Sequence, residues 1–344
     1  MSMYLDSAAT TPIHPKVQKA MDSVQSIFGN TGSKHYEGYR AKEILDTALQ
    51  TIAHCLGVKK EQIIPTYGGT DANRKVLWAM RKRFSYKNLW ASSVEHTSIR
   101  DEIAKENQFN PFSFQNIPEN PSFLSLMQTN NETGVLFDTK KLRQRYPQAI
   151  FHSDWVQAIG KQSFTPELFD FASFSAHKLY GPKTVGLLYI KHPDEFPELS
   201  QDSHTKNIQL IVGMAKAFEL LNQKTIQTIE KQTKYIESFI AQSFKNTKII
   251  HKDKNRVPGI ISIAFQDIRG SELMTRLSEE ERICVSTGSA CSSDIFAPTQ
   301  VIQIFEPNPK YQYPIRIGLH QFVTNEQVEE FCEILKYMVD DMRK

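Results

Sequence analysis

The chain has 344 residues, of which 40% are hydrophobic and 23% are charged, a composition typical of globular proteins and not of disordered chains. Its 41 Lys and Arg against 38 Asp and Glu leave a net charge of +3, which gives no argument for nucleic acid or an anionic membrane as a partner. No apolar run is long enough to span a bilayer, and the first residues carry no signal-peptide pattern, so we expect a cytoplasmic protein.

Helix and strand patterns alternate over residues 36–250, which is typical of a mostly parallel sheet covered by helices. Apolar residues at helical spacing predict a helix over Tyr36–Leu56 that ends at Gly57. A second helical pattern, Thr205–Phe244, is expected in two pieces that meet near Asn222. Short apolar or β-branched runs predict six strands: Ile63–Tyr67, Asn88–Ser92, Phe123–Gln128, Ala149–Ser153, Phe171–Ser175 and Val185–Lys191.

The sequence changes in character after Lys245, which suggests a second domain. Its predicted elements are the strand Ile260–Phe265, the helix Ser271–Leu277, the strand Ile315–Leu319 and a last helix. A capping-box pattern predicts that this last helix begins after Thr324. We therefore expect a large domain over 13–247 and a small C-terminal domain over 248–344, with segment 1–12 packed on the small one.

Polar clusters follow the predicted strands, at the sheet edge where open α/β folds bind ligands. Tyr67–Asn73 places two glycines before a helix, which suits a single phosphate but also an ordinary glycine-rich turn. It is neither a Walker A loop nor a dinucleotide turn. His96 is either a functional ring or a hydrogen-bonded cap, and Thr129–Gly134 is either a binding loop or a turn built from Asn and Gly.

Two further clusters contain charged groups that need partners. Asp154 at a strand end would pair with a protonated pyridine nitrogen, with Gln157 beside it, or would cap a helix. Lys178 follows a buried strand and is flanked by Ser175 and His177, so it is either a nucleophilic amine beside a phosphate or a solvated lysine in a turn. Together the clusters supply the groups that bind pyridoxal phosphate.

No metal is expected, because the candidate ligands lack zinc spacing. These candidates are His96, His152, Asp154 and His177. The four cysteines form no CxxC pair, and Cys291 lies among seven small residues, where it is either a reactive thiol or an incidental loop residue. The other three, Cys55, Cys284 and Cys332, are expected to be buried structural thiols. Arg316 in a predicted strand needs an anion, either a ligand carboxylate or an internal Asp or Glu.

The ordered motifs resemble the class V aminotransferase family, and within it the cysteine desulfurases of the NifS/IscS type. In chain order they are YLDSAATTP, NTGSKHYEGYRA, GGTDAN, EH, NNETG, HSDWVQAIGK, SFSAHKLYGPK, STGSACSS and IRIGL. The resemblance implies an α/β fold of the pyridoxal-phosphate-dependent transferase type (aspartate aminotransferase-like), with a mostly parallel-sheet large domain and a smaller α+β domain.

The resemblance also implies roles for individual residues. It makes Lys178, Cys291 and His96 catalytic, and it makes Asn131 and Arg316 the holders of the substrate carboxylate. The implied contacts to pyridoxal phosphate are Gly69, Thr70, His96, Asn131, Asp154, Gln157, Ser175, His177, Lys178 and Thr205. The implied activity converts L-cysteine to L-alanine and leaves a persulfide on Cys291. A protein sulfur acceptor, such as an iron–sulfur scaffold or a thiolation relay, would then receive the sulfur from a homodimeric enzyme with no nucleic-acid or membrane partner.

The chain departs from the family pattern in the region 196–207, which is shorter than its counterpart in the family. Thr205 matches the residue that, in the family, reaches the phosphate of the neighbouring subunit. Three further positions hold residues larger than those usual in the family: Tyr67, Thr184 and His320. Alternatives therefore stay open: a selenocysteine lyase, an aminotransferase, or a catalytically weak homologue that serves as a scaffold or binding subunit.

Overall fold

The computed structural model describes residues 2–200, 205–288 and 297–344. Cys291, the expected nucleophile, lies outside these ranges. Within the described residues, no helix combines the length and the apolar character needed to cross a membrane.

The strands of the described ranges are short and numbered here in chain order. They are β1 (Met3–Tyr4), β2 (Ile63–Thr66), β3 (Leu89–Ser92), β4 (Gln108–Phe109), β5 (Phe123–Ser125), β6 (Ile150–Asp154), β7 (Phe171–Ser175), β8 (Gly186–Ile190), β9 (Thr247–Ile249), β10 (Ile260–Phe265), β11 (Ile283–Cys284) and β12 (Ile315–Gly318). All six strands predicted up to residue 191 are present, with ends that differ by at most a few residues.

The helices include short ones that follow strands and long ones that pack on other elements. They are α1 (Pro15–Ser23), α2 (Tyr36–Leu56), α3 (Gly69–Arg83), α4 (Thr97–Arg100), α5 (Thr139–Arg145), α6 (Pro197–Ser200), α7 (Ile208–Glu219), α8 (Gln223–Ser243), α9 (Gly270–Glu281), α10 (Gln300–Phe305) and α11 (Asn325–Met342). Gly57 ends α2 with a left-handed backbone (φ 69°), and Thr324 and Gln327 form the capping box of α11, both as predicted.

The larger structural unit comprises Pro12–Gln128 and Phe137–Leu221. Its seven-stranded sheet has the order β2-β8-β7-β6-β5-β3-β4, in which β8 runs antiparallel to both of its neighbours and the strands from β7 to β4 are parallel. Helix α3 packs its apolar face on β7 and β8. Because β3, β6 and β7 are parallel, the residues that follow them meet at one edge of the sheet.

The smaller unit comprises Met1–Thr11, Thr129–Leu136 and Asn222–Lys344. It contains the antiparallel sheet β12-β10-β9 and the parallel pair β1-β11. Helices α8, α9 and α11 supply apolar side chains to one core with β10 and β12.

The division between the units differs from the expected boundary near residue 247. It falls at Asn222, because Ile229, Ile236 and Ile240 of α8 are buried in the core of the smaller unit. The turn Thr129–Leu136 also belongs to that unit, where Val257 N–H donates to the carbonyl of Gly134 at 2.8 Å. A boundary drawn from linear sequence cannot detect such an insertion.

The expected burial of three cysteines is only partly correct. Cys332 is buried and Cys284 is half-buried, but Cys55 is exposed. Cys55 lies on α2 between apolar residues, yet it falls outside the stripe that faces the interior.

Candidate active site

The glycine loop between β2 and α3 forms the floor of a possible phosphate site. Gly68 has φ 132°, a conformation that favours glycine, and α3 begins at the next residue. A Cβ atom on Gly69 would lie 2.6 Å from Val156 Cγ2, so only glycine lets the helix start approach this closely. The nearest side-chain atom to Gly68 is Ser175 Oγ, 3.8 Å from an ideal Cβ position. The N–H groups of the first turn of α3 have no acceptor within the helix, and they lie near the Ser175 hydroxyl. Thr70 in this turn is exposed. Together these donors suit an anion.

Lys178 lies in a tight turn that directly follows β7. The turn Ala176–Lys178 is a 3₁₀ helix, and Gly181 N–H donates to the carbonyl of Ala176 at 3.0 Å. Lys178 and His177 are half-buried. Burial, with lesser contributions from Lys178 and Lys183, lowers the pKa of His177 to about 4, so its ring is neutral at neutral pH and can donate one hydrogen bond to an anion.

Asp154 ends β6 as a buried carboxylate that is 6% exposed. Its Oδ2 accepts from Asn73 Nδ2 at 2.9 Å, and its Oδ1 accepts from the backbone N–H of Val156 at 2.9 Å. Both donors are neutral groups. A buried carboxylate held by neutral donors is costly unless a cation also reaches it.

A chain of hydrogen bonds joins Asp154 to His96. Asn73 Nδ2 also donates to Ser98 Oγ at 3.0 Å, and Ser98 Oγ lies 2.8 Å from His96 Nδ1. His96 is the N-cap of α4, with Nδ1 accepting from the backbone N–H of Ser98 at 3.2 Å. His96 therefore caps a helix, which was one of its two predicted roles. The same residue is also connected to Asp154 by hydrogen bonds, as a functional ring would be.

The surroundings of His96 favour the neutral form of its ring. Burial lowers its pKa, the nearby Asp154 carboxylate raises it, and Lys178 lowers it again. These influences show that the structure brings His96, Asp154 and Lys178 together at the sheet edge, as the strand pattern predicts. Since Nδ1 accepts from Ser98, the proton of the neutral ring is on Nε2.

Glu95, a buried residue to which the sequence analysis gave no role, supports this sheet edge from the interior of the unit. Glu95 Oε1 accepts from Ser92 Oγ at 2.6 Å and from the backbone N–H of Met127 at 2.7 Å. Burial raises the pKa of Glu95 to about 8. Glu95 therefore links the end of β3, next to His96, to the chain that follows β5.

His152 adds a second internal connection. Its Nδ1 lies 2.9 Å from Ser125 Oγ, and its Nε2 lies 2.9 Å from Ser173 Oγ, so it bridges β5, β6 and β7. Burial lowers the pKa of His152 to about 3, which keeps the ring neutral. The sequence analysis considered His152 only as a metal ligand and gave Glu95 and Asn73 no role. The signal that could have indicated their supporting roles is a polar side chain at a position whose neighbours predict burial.

The remaining predicted contacts of the larger unit are less enclosed or less central. Gln157 is buried, and its Oε1 accepts from Lys161 Nζ at 3.5 Å. Thr205 is exposed and lines a small cavity of about 30 Å³ with Tyr67 and Thr184, two of the residues that are larger than their counterparts in the family. Thr205 thus lies near the glycine loop of its own chain.

The smaller unit holds the predicted carboxylate-binding residues. Arg316 is 1% exposed, and its Nη2 donates to Asp6 Oδ1 at 2.7 Å. Its Nη1 donates to the backbone carbonyl of Asn131 at 3.1 Å. Its Nε is buried and has no hydrogen-bond partner among the described residues. The sequence left two possible partners for Arg316, a ligand carboxylate or an internal acid. The structure contains the internal acid, Asp6, and the Nε–H donor of Arg316 is left without a partner among the described residues.

The residues of the larger unit fit pyridoxal phosphate. The glycine loop suits the phosphate, and the buried carboxylate with neutral donors suits a protonated ring nitrogen. Asn73 Oδ1 is a further buried acceptor without a partner within the described ranges. Lys178 and the neutral ring of His96 complete the set.

Comparison with known proteins agrees with the geometry. The chain is 29% identical over 377 residues to cysteine desulfurase IscS of Dictyoglomus turgidum, covering 99% of this chain and 95% of the relative. It is 30% identical over 383 residues to cysteine desulfurase IscS of Buchnera aphidicola, covering 99% and 93%.

Solved structures show the same fold. A NifS-like protein superimposes with a TM-score of 0.87 at 26% identity, covering 99% of this chain and all of the other. A NifS-like protein from Rickettsia africae gives 0.83 at 25% identity, with 99% and 100% coverage. The expected fold class is confirmed. Because residues 3–331 match the model of the aminotransferase class-V family, the chain belongs to that family.

Proposed function

We propose that the chain is a pyridoxal-phosphate-dependent cysteine desulfurase that converts L-cysteine to L-alanine and holds the released sulfur as a persulfide on Cys291. The observation that carries this proposal is the buried carboxylate of Asp154, held by neutral donors and joined through Asn73 and Ser98 to His96. Relatives named cysteine desulfurase that align over almost the whole chain support the same activity.

The geometry of the larger unit supports a set of proposed contacts to the cofactor. Asp154 would pair with the protonated ring nitrogen, and His96 would lie against the ring with its proton on Nε2. Gln157 would meet the ring oxygen. The phosphate would be held by four groups around the glycine loop: Gly69, Thr70, Ser175 and His177. When bound at Lys178, pyridoxal phosphate supplies the electron sink that such a reaction needs.

The chain supplies the nucleophile and the proton transfers. Lys178, once the substrate amine has replaced it, moves a proton to and from the substrate through its Nζ atom. The thiolate of Cys291 attacks the substrate sulfur, so that an S–S bond forms as the C–S bond breaks. The electron pair of that bond passes to the substrate carbon, which takes up a proton to give L-alanine. Arg316 and Asn131 would hold the substrate carboxylate.

Four expectations stay predictions within this proposal. The sulfur passes from Cys291 to a protein acceptor, such as an iron–sulfur scaffold or a thiolation relay. The protein is a homodimer, and the family resemblance predicts that Thr205 reaches the phosphate of the neighbouring subunit, although within one chain it lies near the glycine loop. It is cytoplasmic, and it binds neither nucleic acid nor membranes.

The test adds L-cysteine and a reductant to cofactor-supplemented protein and measures alanine and sulfide. We expect equal amounts of both from the wild type and from Cys55→Ala, a control that removes an exposed thiol. Cys291→Ala should lose at least about 99% of the turnover, since it removes the nucleophile.

The other functions predict different results. Undiminished release of alanine and sulfide by Cys291→Ala would indicate an enzyme of the selenocysteine lyase type. Loss of the amine of L-cysteine without release of alanine and sulfide would indicate an aminotransferase. A wild-type protein that gains no visible absorption with the cofactor and makes no alanine would be a scaffold homologue.

A further inference from the structure

Buried Arg316 and half-buried Asp6 form an ion pair, and sheet contacts hold the backbones of both residues. Arg316 lies in β12, where its N–H and carbonyl both bond to Ser286. Asp6 bridges to Gly318 of the same strand, and Ser7 Oγ donates to the carbonyl of Leu319 at 2.6 Å. The sheet therefore holds the backbones of both residues, so that only rotation of a side chain could separate the carboxylate from the guanidinium.

The guanidinium is only partly satisfied by this arrangement. Nη2 donates to Asp6 and Nη1 donates to the carbonyl of Asn131, while the buried Nε has no partner within the described ranges. A buried donor without an acceptor is costly, so the site can still accept an oxygen atom. A ligand carboxylate that accepts from Nε would share the guanidinium with the negatively charged carboxylate of Asp6.

We propose that Asp6 is a specificity-determining residue that weakens the binding of amino-acid carboxylates to Arg316. This inference rests on the proposed function only in taking Arg316 as the carboxylate holder. Asp6 orients the guanidinium through Nη2 and leaves Nε open for the ligand. Its charge repels the carboxylate of the substrate and also that of the product, which keeps KM high and lets the product leave.

Asp6→Asn separates charge from orientation, because the amide oxygen can still accept from Nη2 while the negative charge is lost. L-Alanine and L-alaninamide are probes of similar size, in which an uncharged amide replaces the charged carboxylate. Their dissociation constants are measured with the cofactor-loaded protein by the change in its visible absorption. Asp253→Asn, which removes an exposed charge of the same unit, is the control.

We expect Asp6→Asn to bind L-alanine about tenfold more tightly, as for the removal of one nearby like charge, and to bind L-alaninamide unchanged. The KM for L-cysteine should fall by a similar factor, while kcat does not rise. Asp6→Glu, which keeps the charge, and the Asp253→Asn control should show no gain. Equal changes for both probes, or weaker binding of L-alanine by Asp6→Asn, would overturn the proposal.

Two further results keep the test decisive. If Asp6→Asn does not fold, the wild type alone decides: a preference for L-alanine over L-alaninamide below about tenfold supports the proposal, and a larger one contradicts it. If the wild type makes no sulfide but Asp6→Asn tightens L-alanine binding, the desulfurase proposal fails and this inference stands. If the wild type makes sulfide normally and Asp6→Asn leaves the selectivity unchanged, this inference fails and the desulfurase proposal stands.

Discussion

The two structural units hold their buried charges in opposite ways. In the larger unit, the hydrogen bonds that described residues donate to the carboxylate of Asp154 come from the neutral groups of Asn73 and Val156. In the smaller unit, the guanidinium of Arg316 is already paired with Asp6. A buried carboxylate with neutral donors favours binding of a cationic group, whereas an arginine that is already paired attracts an anion less strongly. Under the proposed function, the larger unit would hold a cationic ring tightly, and the smaller unit would hold an anionic group weakly.

The proposed role of the larger unit is tested most directly at Lys178, the residue expected to tether the cationic ring beside Asp154. Lys178→Ala should lower turnover of L-cysteine by at least about 10³-fold, because both the tether and the proton carrier are lost. Sulfide production checks this. Lys183→Ala, an exposed lysine in the same turn, should keep most of the activity. Comparable losses in both variants would contradict a special role for Lys178.

The pH dependence of stability tests a second buried carboxyl group of the larger unit, that of Glu95. Burial raises the pKa of Glu95 from 4.5 to about 8, so the folded protein retains a proton that the unfolded chain releases in this window. The contribution of Glu95 to stability is therefore present at low pH and is lost as the pH rises from about 4.5 to about 8. The wild type should lose up to about 1.4 kcal/mol of unfolding free energy per pH unit in this window because of Glu95. Glu95→Gln has no such proton to release and should lack this loss.

Chemical denaturation at about pH 5 and about pH 8 measures this difference. Glu106→Gln, which changes an exposed carboxylate, should follow the wild type. A parallel pH dependence of Glu95→Gln and wild type would show that Glu95 is ionised in the folded protein.

The two charges should also respond oppositely to neutralisation in the cofactor-free protein. Asp154→Asn removes a buried carboxylate that has neutral donors, so the free energy of unfolding should rise by about 1 kcal/mol while the affinity for pyridoxal phosphate falls. Asp6→Asn removes the negative charge that compensates a buried arginine, so the free energy of unfolding should fall by about 2 kcal/mol. Denaturation of both variants without cofactor measures these values. Changes of the same sign would remove the contrast between the units.

The smallest expected effect concerns the backbone next to the site. Thr184 has φ 59°, a left-handed conformation that costs a β-branched residue about 1 kcal/mol or more. Thr184→Gly should therefore raise the melting temperature slightly, by the equivalent of about 1 kcal/mol. Lys183→Gly, at a residue without positive φ, should lower it. A stabilising effect of both glycines would show that the gain does not come from the backbone of Thr184.

Local patterns predicted the elements well because they depend on neighbouring residues. The helix Tyr36–Leu56 was predicted with its observed ends, since its apolar stripe and its final glycine lie in one continuous segment. The strand ends that carry His96 and Asp154 were predicted for the same reason. The parallel order of these strands then places both residues at one edge.

The contacts between distant segments could not be predicted in this way. The sequence indicated that Arg316 needs an acid but could not identify Asp6, which is 310 positions away. The same holds for the contact from Asn73 to Asp154, which are 81 positions apart. The position of Asn222 as the division between units depends on which core α8 joins, a property of packing and not of periodicity.

The most direct test of the account is to identify the lysine that holds the cofactor. Purified protein is supplemented with pyridoxal phosphate and treated with borohydride, which fixes the cofactor to the amine that carries it, and the peptides are then analysed by mass spectrometry. We predict that the modified peptide contains Lys178 and that Lys178→Ala carries no modification. A well-folded wild type that is modified only at another lysine, or at none, would contradict the account.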